Sequence, residues 1–287
     1  MSFVAAMAAS HAPNMLLDPG AEWEEFMTLH YRMAPQAAGT RPSLEVQRKL
    51  RQDAEKAFAV LRADLEAARP DVLIVVANDQ FVNFFFDNIP TFFVTLADEV
   101  QGRFTRYRFN YRNDAELGRA ILEAGVGAGL DLSFGEDIEL QHTQMVPLHF
   151  LLPEPDIPIL PIFVNTWIDP LPTPARCYAL GNLIRQVADA SPHRVAMLAT
   201  GGLSHFPGSP RIGEIDTSFD EGLLRQMRDG AGPALAELTL EQLRQSGNSE
   251  FLNWMVTVGA VSDTPASETF YMPDHVATGW GFASWRI

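Results

Sequence analysis

Residues 72–86 read VLIVVANDQFVNFFF. Val72 to Ala77 are apolar without interruption, which fits a strand buried on both faces of a sheet; a half-exposed strand would alternate with polar side chains. The run stops at Asn78-Asp79-Gln80, and Phe81, Phe84, Phe85 and Phe86 follow at once. Polar groups wedged between two such stretches cannot all reach water. They must form a turn, a buried hydrogen-bond network or part of a reaction site. In open α/β sheets, reactive groups collect beyond the carboxyl ends of the strands, and this tripeptide sits at such an end.

Comparable apolar runs recur along the chain. FVAAMAAS (3–10), TFFVTLA (91–97), IPILPIFVN (157–165) and HRVAMLATGGLSH (193–205) predict strands, the last running into a glycine-rich turn. Between them, residues 43–68 carry apolar positions at helical spacing, with Ser43 as N-cap and ARPD as terminator. Residues 115–130 read as a helix stopped by glycines, and 171–190 as another helix. Beyond residue 205 the chain reads as mostly helical, through DEGLLRQMRDG, LTLEQLRQSG and SEFLNWMVTVGAV. No repeat, low-complexity tract or linker interrupts the pattern. Alternating strands and helices predict an α/β fold, one domain over residues 1–287, with a central mixed, largely parallel sheet flanked by helices.

Composition narrows the function classes. Of 287 residues, 47% are hydrophobic and 20% charged, enough for a substantial core and too apolar for disorder. The formal net charge of −15 repels a polyanion, so nucleic acid is not an expected partner. Cys177 is the only cysteine, which excludes an intramolecular disulfide and a cysteine zinc site; within its helix it reads as a packed thiol. No apolar run approaches the roughly 18–20 residues that span a bilayer. The first residues lack a basic leader and read as a buried strand, so the chain is expected to be cytoplasmic.

Three predicted strands end in reactive groups: Ser10-His11-Ala12-Pro13, Asn78-Asp79-Gln80, and GGLSH ending at His205. A fourth cluster, LQHTQMVPLHF, holds His142 and His149. His11 and His205 stand out, because each follows an apolar strand and a small turn-forming residue. His30 and His193 read as surface or satisfied structural residues, His149 as a packed helical residue, and His275 is left open. Glu250, taken alone, reads as a helix-start residue in a capping arrangement with Ser249.

SHAP, NDQFVNFF, HTQMVPLHF, PIFVN, GGLSHFPG and SEFLNWM occur in the order and approximate spacing of the class III extradiol ring-cleavage dioxygenases. The chain resembles this superfamily, typified by the β subunit of protocatechuate 4,5-dioxygenase, over nearly its whole length. The resemblance implies a non-haem Fe(II) enzyme that uses O₂ to open a catecholic or aminophenolic ring beside its ortho groups. In the family, two histidines and a glutamate hold iron and leave positions open. Carried over by motif, His11 and Glu250 are metal ligands, His205 is the general base, and His142 hydrogen-bonds substrate or oxygen species. Ring hydroxyls titrate near pH 10, so a neutral imidazole must help remove the proton. The resemblance also implies a homodimer or higher oligomer, in some relatives with a homologous or small helical subunit.

Gln80 departs from the pattern, which places a histidine after ND as the second nitrogen ligand. Its carbonyl oxygen is a weaker, uncharged donor. Three readings stay open: Gln80 ligates or supports iron; another residue, His142 the nearest candidate, completes the site; or metal is lost, leaving a silent subunit that partners an active homologue. A metal-assisted hydrolase or lyase on the same scaffold is a further alternative. For the substrate, Phe81 and its neighbouring phenylalanines could wall an aromatic pocket, with Trp254, Tyr271 and Trp280 contributing. Arg211 could pair with a substrate carboxylate.

Overall fold

In the structure, a computed structural model, residues 2–33 and 41–287 are described; of residues 29–33 only the backbone is. The side chain of His30 thus lies outside the described residues. The strands are β1 (Phe3–Ala9), β2 (Val72–Ala77), β3 (Phe92–Thr95), β4 (Glu99–Phe104), β5 (Tyr107–Arg112), β6 (Leu132–Gly135), β7 (Glu139–Leu140), β8 (Ile159–Val164), β9 (Val195–Thr200), β10 (Glu268–Pro273) and β11 (Gly279–Arg286). The helices are α1 (Ala21–Met33), α2 (Leu44–Ala68), α3 (Ala115–Gly127), α4 (His142–Leu151), α5 (Pro174–Ala190), α6 (Thr217–Arg228), α7 (Gly232–Leu235), α8 (Leu240–Gln245) and α9 (Phe251–Val261).

The apolar run that opened the sequence reading is the sheet's interior. Val72, Ile74 and Val76 face a core that includes residues of α3, α5, α6 and α9, while Leu73 and Val75 face a second core built with α2 and α4. Both faces are dry, so alternation with polar residues would bury unpaired groups. Each such side chain contributes about 1.5–3 kcal/mol by leaving water. The eight-stranded sheet runs β10-β11-β1-β9-β2-β8-β3-β6. From β1 through β9 and β2 to β8 the pairing is parallel; β11 and β3 pair antiparallel at the flanks, and β6 is parallel to β3. The α/β class and the mixed sheet flanked by helices are as expected.

Two parts of the chain differ from the sequence reading. The last stretch, read as helical, ends in the antiparallel hairpin β10-β11, which pairs with β1 and covers the sheet's edge. Residues 99–112 form an unforeseen hairpin, β4-β5, joined by β7 into a small second sheet. Other expectations hold: the Ser43 hydroxyl caps α2 by accepting from the Val46 amide, and Arg69 ends that helix in a left-handed conformation. Cys177 is fully buried on α5, where burial pushes its thiol upward. His149 packs against Tyr107 and Phe150, and His193 is exposed.

Helices α5 and α9 lie close together because Gly181 and Gly259 face the partner backbone. A β-carbon at Gly181 would collide with the Val256 carbonyl, and one at Gly259 with the Tyr178 carbonyl. Backbone cannot move aside as a flexible side chain can. Gly181→Ala is therefore expected to cost about 2–3 kcal/mol, read as a lower urea midpoint with an unchanged slope.

This packing sets up the site. β1, β9 and β2 are adjacent and parallel, with Ala9 opposite Thr200 and Val76 opposite Ala199. Their carboxyl ends are level, so residues 10–13, 78–80 and 201–205 meet at one sheet edge.

Candidate active site

Each strand end is fixed before its functional side chain projects. The Ser10 hydroxyl accepts from the Gly281 amide at 2.9 Å, tying the turn after β1 to β11. His11 follows, buried, its Nδ1 at 3.1 Å from the Thr200 hydroxyl and its Nε2 at 3.1 Å from Glu250 Oε2. After β9, the Ser204 amide and hydroxyl donate to Asp220, whose carboxylate also accepts from Asn248 and Tyr271. His205 is thereby set with its Nδ1 at 2.8 Å from the Leu203 carbonyl and its Nε2 at 3.5 Å from Glu250 Oε2. Asp220→Ala would leave these buried donors unpaired. It is expected to cost about 3 kcal/mol by denaturant unfolding and to depress any His205-dependent turnover, whereas Asp220→Asn should lose less of both.

Glu250 occupies the N-cap position of α9, but its side chain makes no capping bond. It points into the sheet edge instead, 2% exposed. Oε1 accepts from Asn78 Nδ2 at 3.1 Å and Gln80 Nε2 at 3.2 Å, and Oε2 from the Gly202 amide at 2.8 Å. Burial alone would raise this carboxyl, but the charges of His11 and His205 and their hydrogen bonds hold it well below the ordinary range. The reciprocal effect appears at His205. Burial pushes that imidazole down, yet the Glu250 charge, its hydrogen bond and the Leu203 carbonyl bring it above its usual value.

The three polar residues of the opening stretch divide their work. Asp79 builds the turn, accepting from the amides of Val82, Asn83 and Phe84. Asn78 braces Glu250 and is itself held by Asn253 Nδ2 at 3.1 Å. Gln80 projects to Glu250, its own amide bonded to Gln141 at 2.8 Å. Gln141 stands at the N-cap position of α4, which begins at His142; its amide donates to the Gln144 side chain, and the Thr143 hydroxyl donates to the Asn78 carbonyl. His142 is thus carried to the site by a helix end locked onto the same turn. Its ring meets that of His11 edge-on at 5.6 Å. Burial, reinforced by the neighbouring His11, lowers its pKa to about 3, so it is neutral at physiological pH.

His11, Gln80, His142, His205 and Glu250 line one cavity of about 170 Å³, whose apolar walls include Phe26, Trp167 and Phe206. Two residues expected to bind substrate are not brought into it. Phe81, at φ 59°, borders a separate hollow beside Phe84 and Phe163. Arg211 is on the surface, paired with Glu214 and donating to the Gln245 carbonyl; it stacks over Phe206, 3.8 Å from the ring centroid. Phe84 packs on Phe93 and Phe163, and Phe85 and Phe86 face solvent. Trp254 donates to the Gly201 carbonyl and Tyr271 to Asp220, so both build the frame. Asn14 and Asp274, also in the wall, were missed, since no local pattern marks two residues 260 positions apart.

Among the described residues, no group of three histidine, cysteine, aspartate or glutamate side chains is arranged to hold a metal ion. The His11–Glu250 pair, with the Gln80 amide beside the same carboxylate, is a mixed nitrogen-oxygen donor set that fits a divalent cation if the amide turns its oxygen inward.

Residues 41–282 match the family described as the catalytic LigB subunit of aromatic ring-opening dioxygenase. The chain belongs to this family. Among curated relatives of this LigB family chain, 2,3-dihydroxyphenylpropionate/2,3-dihydroxicinnamic acid 1,2-dioxygenase 2 of Pseudomonas putida is 32% identical over 169 residues, 58% of this chain and 54% of the relative. The corresponding dioxygenase of Klebsiella pneumoniae is 30% identical over 168 residues, with the same coverages of 58% and 54%. The chain thus spans about half the length of the curated relatives it matches. The crystal structure of the uncharacterized protein JW3007 from Escherichia coli K12 superposes with a TM-score of 0.57 at 13% identity, covering 97% of this chain and 99% of that one. At that identity the likeness concerns the fold alone. Among the described residues, no helix is long and apolar enough to cross a membrane.

Proposed function

We propose that this LigB family chain is an Fe(II)-dependent extradiol dioxygenase that opens a catecholic or aminophenolic ring with O₂. The observation that carries the reading is the convergence of His11 and His205 on the buried Glu250 carboxylate at the floor of an apolar cavity. The relatives named as 2,3-dihydroxyphenylpropionate dioxygenases support the reaction class. The same reading has the chain cytoplasmic and homo-oligomeric, the latter checked by sedimentation.

His11, Glu250 and the Gln80 carbonyl would hold the iron. Bound Fe(II) supplies a common point of attachment for the ring's ortho groups and O₂ and a route for electrons between them. The remaining work belongs to the chain's own groups. The Leu203 carbonyl engages His205 Nδ1, so the neutral imidazole carries its proton there and offers Nε2 as the acceptor. The raised affinity of that nitrogen for a proton suits it to take one from a ring hydroxyl, and Glu250 stabilises the imidazolium. His142, held neutral, provides a donor or acceptor beside the ring. Phe26, Trp167 and Phe206 seat the ring and exclude water.

Anaerobic reconstitution with Fe(II) should give about one iron per chain, and addition of a catechol in air should consume O₂ and yield a ring-fission product. Absence of both metal and O₂ uptake would overturn the proposal. A second reading, a silent subunit partnering an active homologue, is favoured by one contact: the Gln80 amide nitrogen donates to the carboxylate a cation would use. It predicts activity only on co-expression with a histidine-bearing paralogue, and turnover by the isolated chain rejects it.

A further inference from the structure

The cavity contains a polar corner that none of the chemistry above uses. Asn14, in the short turn Pro13–Leu16, and Asp274, between β10 and β11, both line it and are 1% and 2% exposed. Asp274 Oδ1 is fully engaged, accepting from the amides of Val276, Ala277 and Thr278 at 2.8–2.9 Å. Its Oδ2 receives only a long bond of 3.4 Å from Asn14 Nδ2. Asn14 Oδ1 is buried and has no hydrogen-bond partner at all.

A buried acceptor left empty is costly, and native proteins keep few of them without a reason. Here two under-used acceptors, one of them a carboxyl that burial pushes above its ordinary range, stand together in the wall of a cavity. Among the described residues, no lysine or arginine lines that cavity, and its other carboxylate is Glu250. Burial disfavours the Asp274 charge, and an ammonium beside it would favour the ionised form, whereas a carboxylate tail would add a second acidic group with no described cation to offset it. A tail that donates several hydrogen bonds and carries positive charge would satisfy both oxygens.

We propose that the Asn14–Asp274 corner is a subsite for a protonated amine carried on the aromatic substrate. The identity of the ring as a catechol rests on the ring-opening reading; the corner's preference for an ammonium group rests on the cavity's own atoms. The substrate class is then an amine-bearing catechol or aminophenol.

The test measures binding without turnover, by calorimetry under anaerobic conditions on the full chain reconstituted with Fe(II). Three probes share a ring and differ in the tail: 4-(2-aminoethyl)catechol, 3-(3,4-dihydroxyphenyl)propionate and 4-ethylcatechol. The amine is expected to bind at least roughly tenfold tighter than either of the others. Asn14→Leu, of similar volume and without an acceptor, should remove about fivefold or more of that preference while leaving 4-ethylcatechol within about twofold. If Asn14→Leu does not fold, Asp274→Asn, which keeps the shape and removes the charge, should reduce the preference in the same direction. Equal or tighter binding of the propionate, no measurable binding of the amine, or a variant that weakens all three probes alike would overturn the proposal. O₂ uptake is read separately. An amine that binds selectively while none of the three probes is opened leaves the subsite standing and removes the dioxygenase reading; opening of all three with equal affinity does the reverse.

Discussion

Glu250→Ala is expected to abolish ring opening and to cost about 3 kcal/mol of folding stability. The stability cost follows from the number of groups that converge on one carboxylate. Asn78, Gln80 and the Gly202 amide donate to it, and His11 and His205 face it. Removing it leaves these groups buried or half-buried with nothing to accept their protons, and water entering the cavity can replace only part of that. Glu250→Gln separates the two effects. The amide keeps the shape and one acceptor, so stability should fall by only about 1 kcal/mol, while activity should still drop by at least roughly a thousandfold. The charge is also what raises His205, so in Glu250→Gln that imidazole should titrate lower than in the parent, a shift readable by NMR. Turnover by Glu250→Gln within tenfold of the parent would show that the carboxylate braces the fold and takes no part in chemistry.

The distinction matters because Glu250 was the least legible of the site residues. Its local pattern, a serine and a glutamate ahead of an apolar helix, is a capping signature, and only the family resemblance argued otherwise. The structure explains the ambiguity: the residue does stand at the N-cap position, with its side chain turned away from the helix. β2 was legible for the opposite reason. A strand dry on both faces has no freedom to include polar residues, so burial writes itself into consecutive letters. β10 and β11 were not legible: β10 is partly exposed along its length, and glycines at 279 and 281 blur the β pattern of β11. The β4-β5 hairpin hides in a run of charges at the surface, where alternation is carried by few buried residues. The cavity wall shows the same limit at longer range. Phe81 and Arg211 lie near site residues in sequence but turn elsewhere, while Phe26, Trp167 and Asp274 arrive from distant elements. Proximity in sequence predicts strand-end residues well and wall residues poorly, because walls are set by how layers pack.

Gln80→His is expected to raise affinity for Fe(II) by roughly 10–100-fold. At present the Gln80 amide nitrogen lies 3.2 Å from Glu250 Oε1, so it stabilises the carboxylate and competes with any cation for it. To serve as a ligand the amide must turn over, giving up that bond and bringing an oxygen toward an oxygen unless a cation lies between. Imidazole has a comparable reach from the same backbone position. It offers a neutral nitrogen lone pair, better matched to a borderline metal than an amide oxygen. The backbone there is well anchored: Gln141 holds the residue 80 amide, and Asp79 holds the turn that follows. The substitution should therefore change the donor and leave the frame. Competition against a chromophoric chelator under anaerobic conditions measures the change directly, and O₂ uptake with a catechol gives its consequence. A large gain in both affinity and turnover would mark the native site as a weakened form of a histidine-histidine-glutamate centre. A gain in affinity alone, with parent turnover already substantial, would mean that the glutamine site is competent as it stands. Unchanged affinity would place Gln80 off the metal, leaving His11 and Glu250 as the pair around which a different ligand set must be drawn.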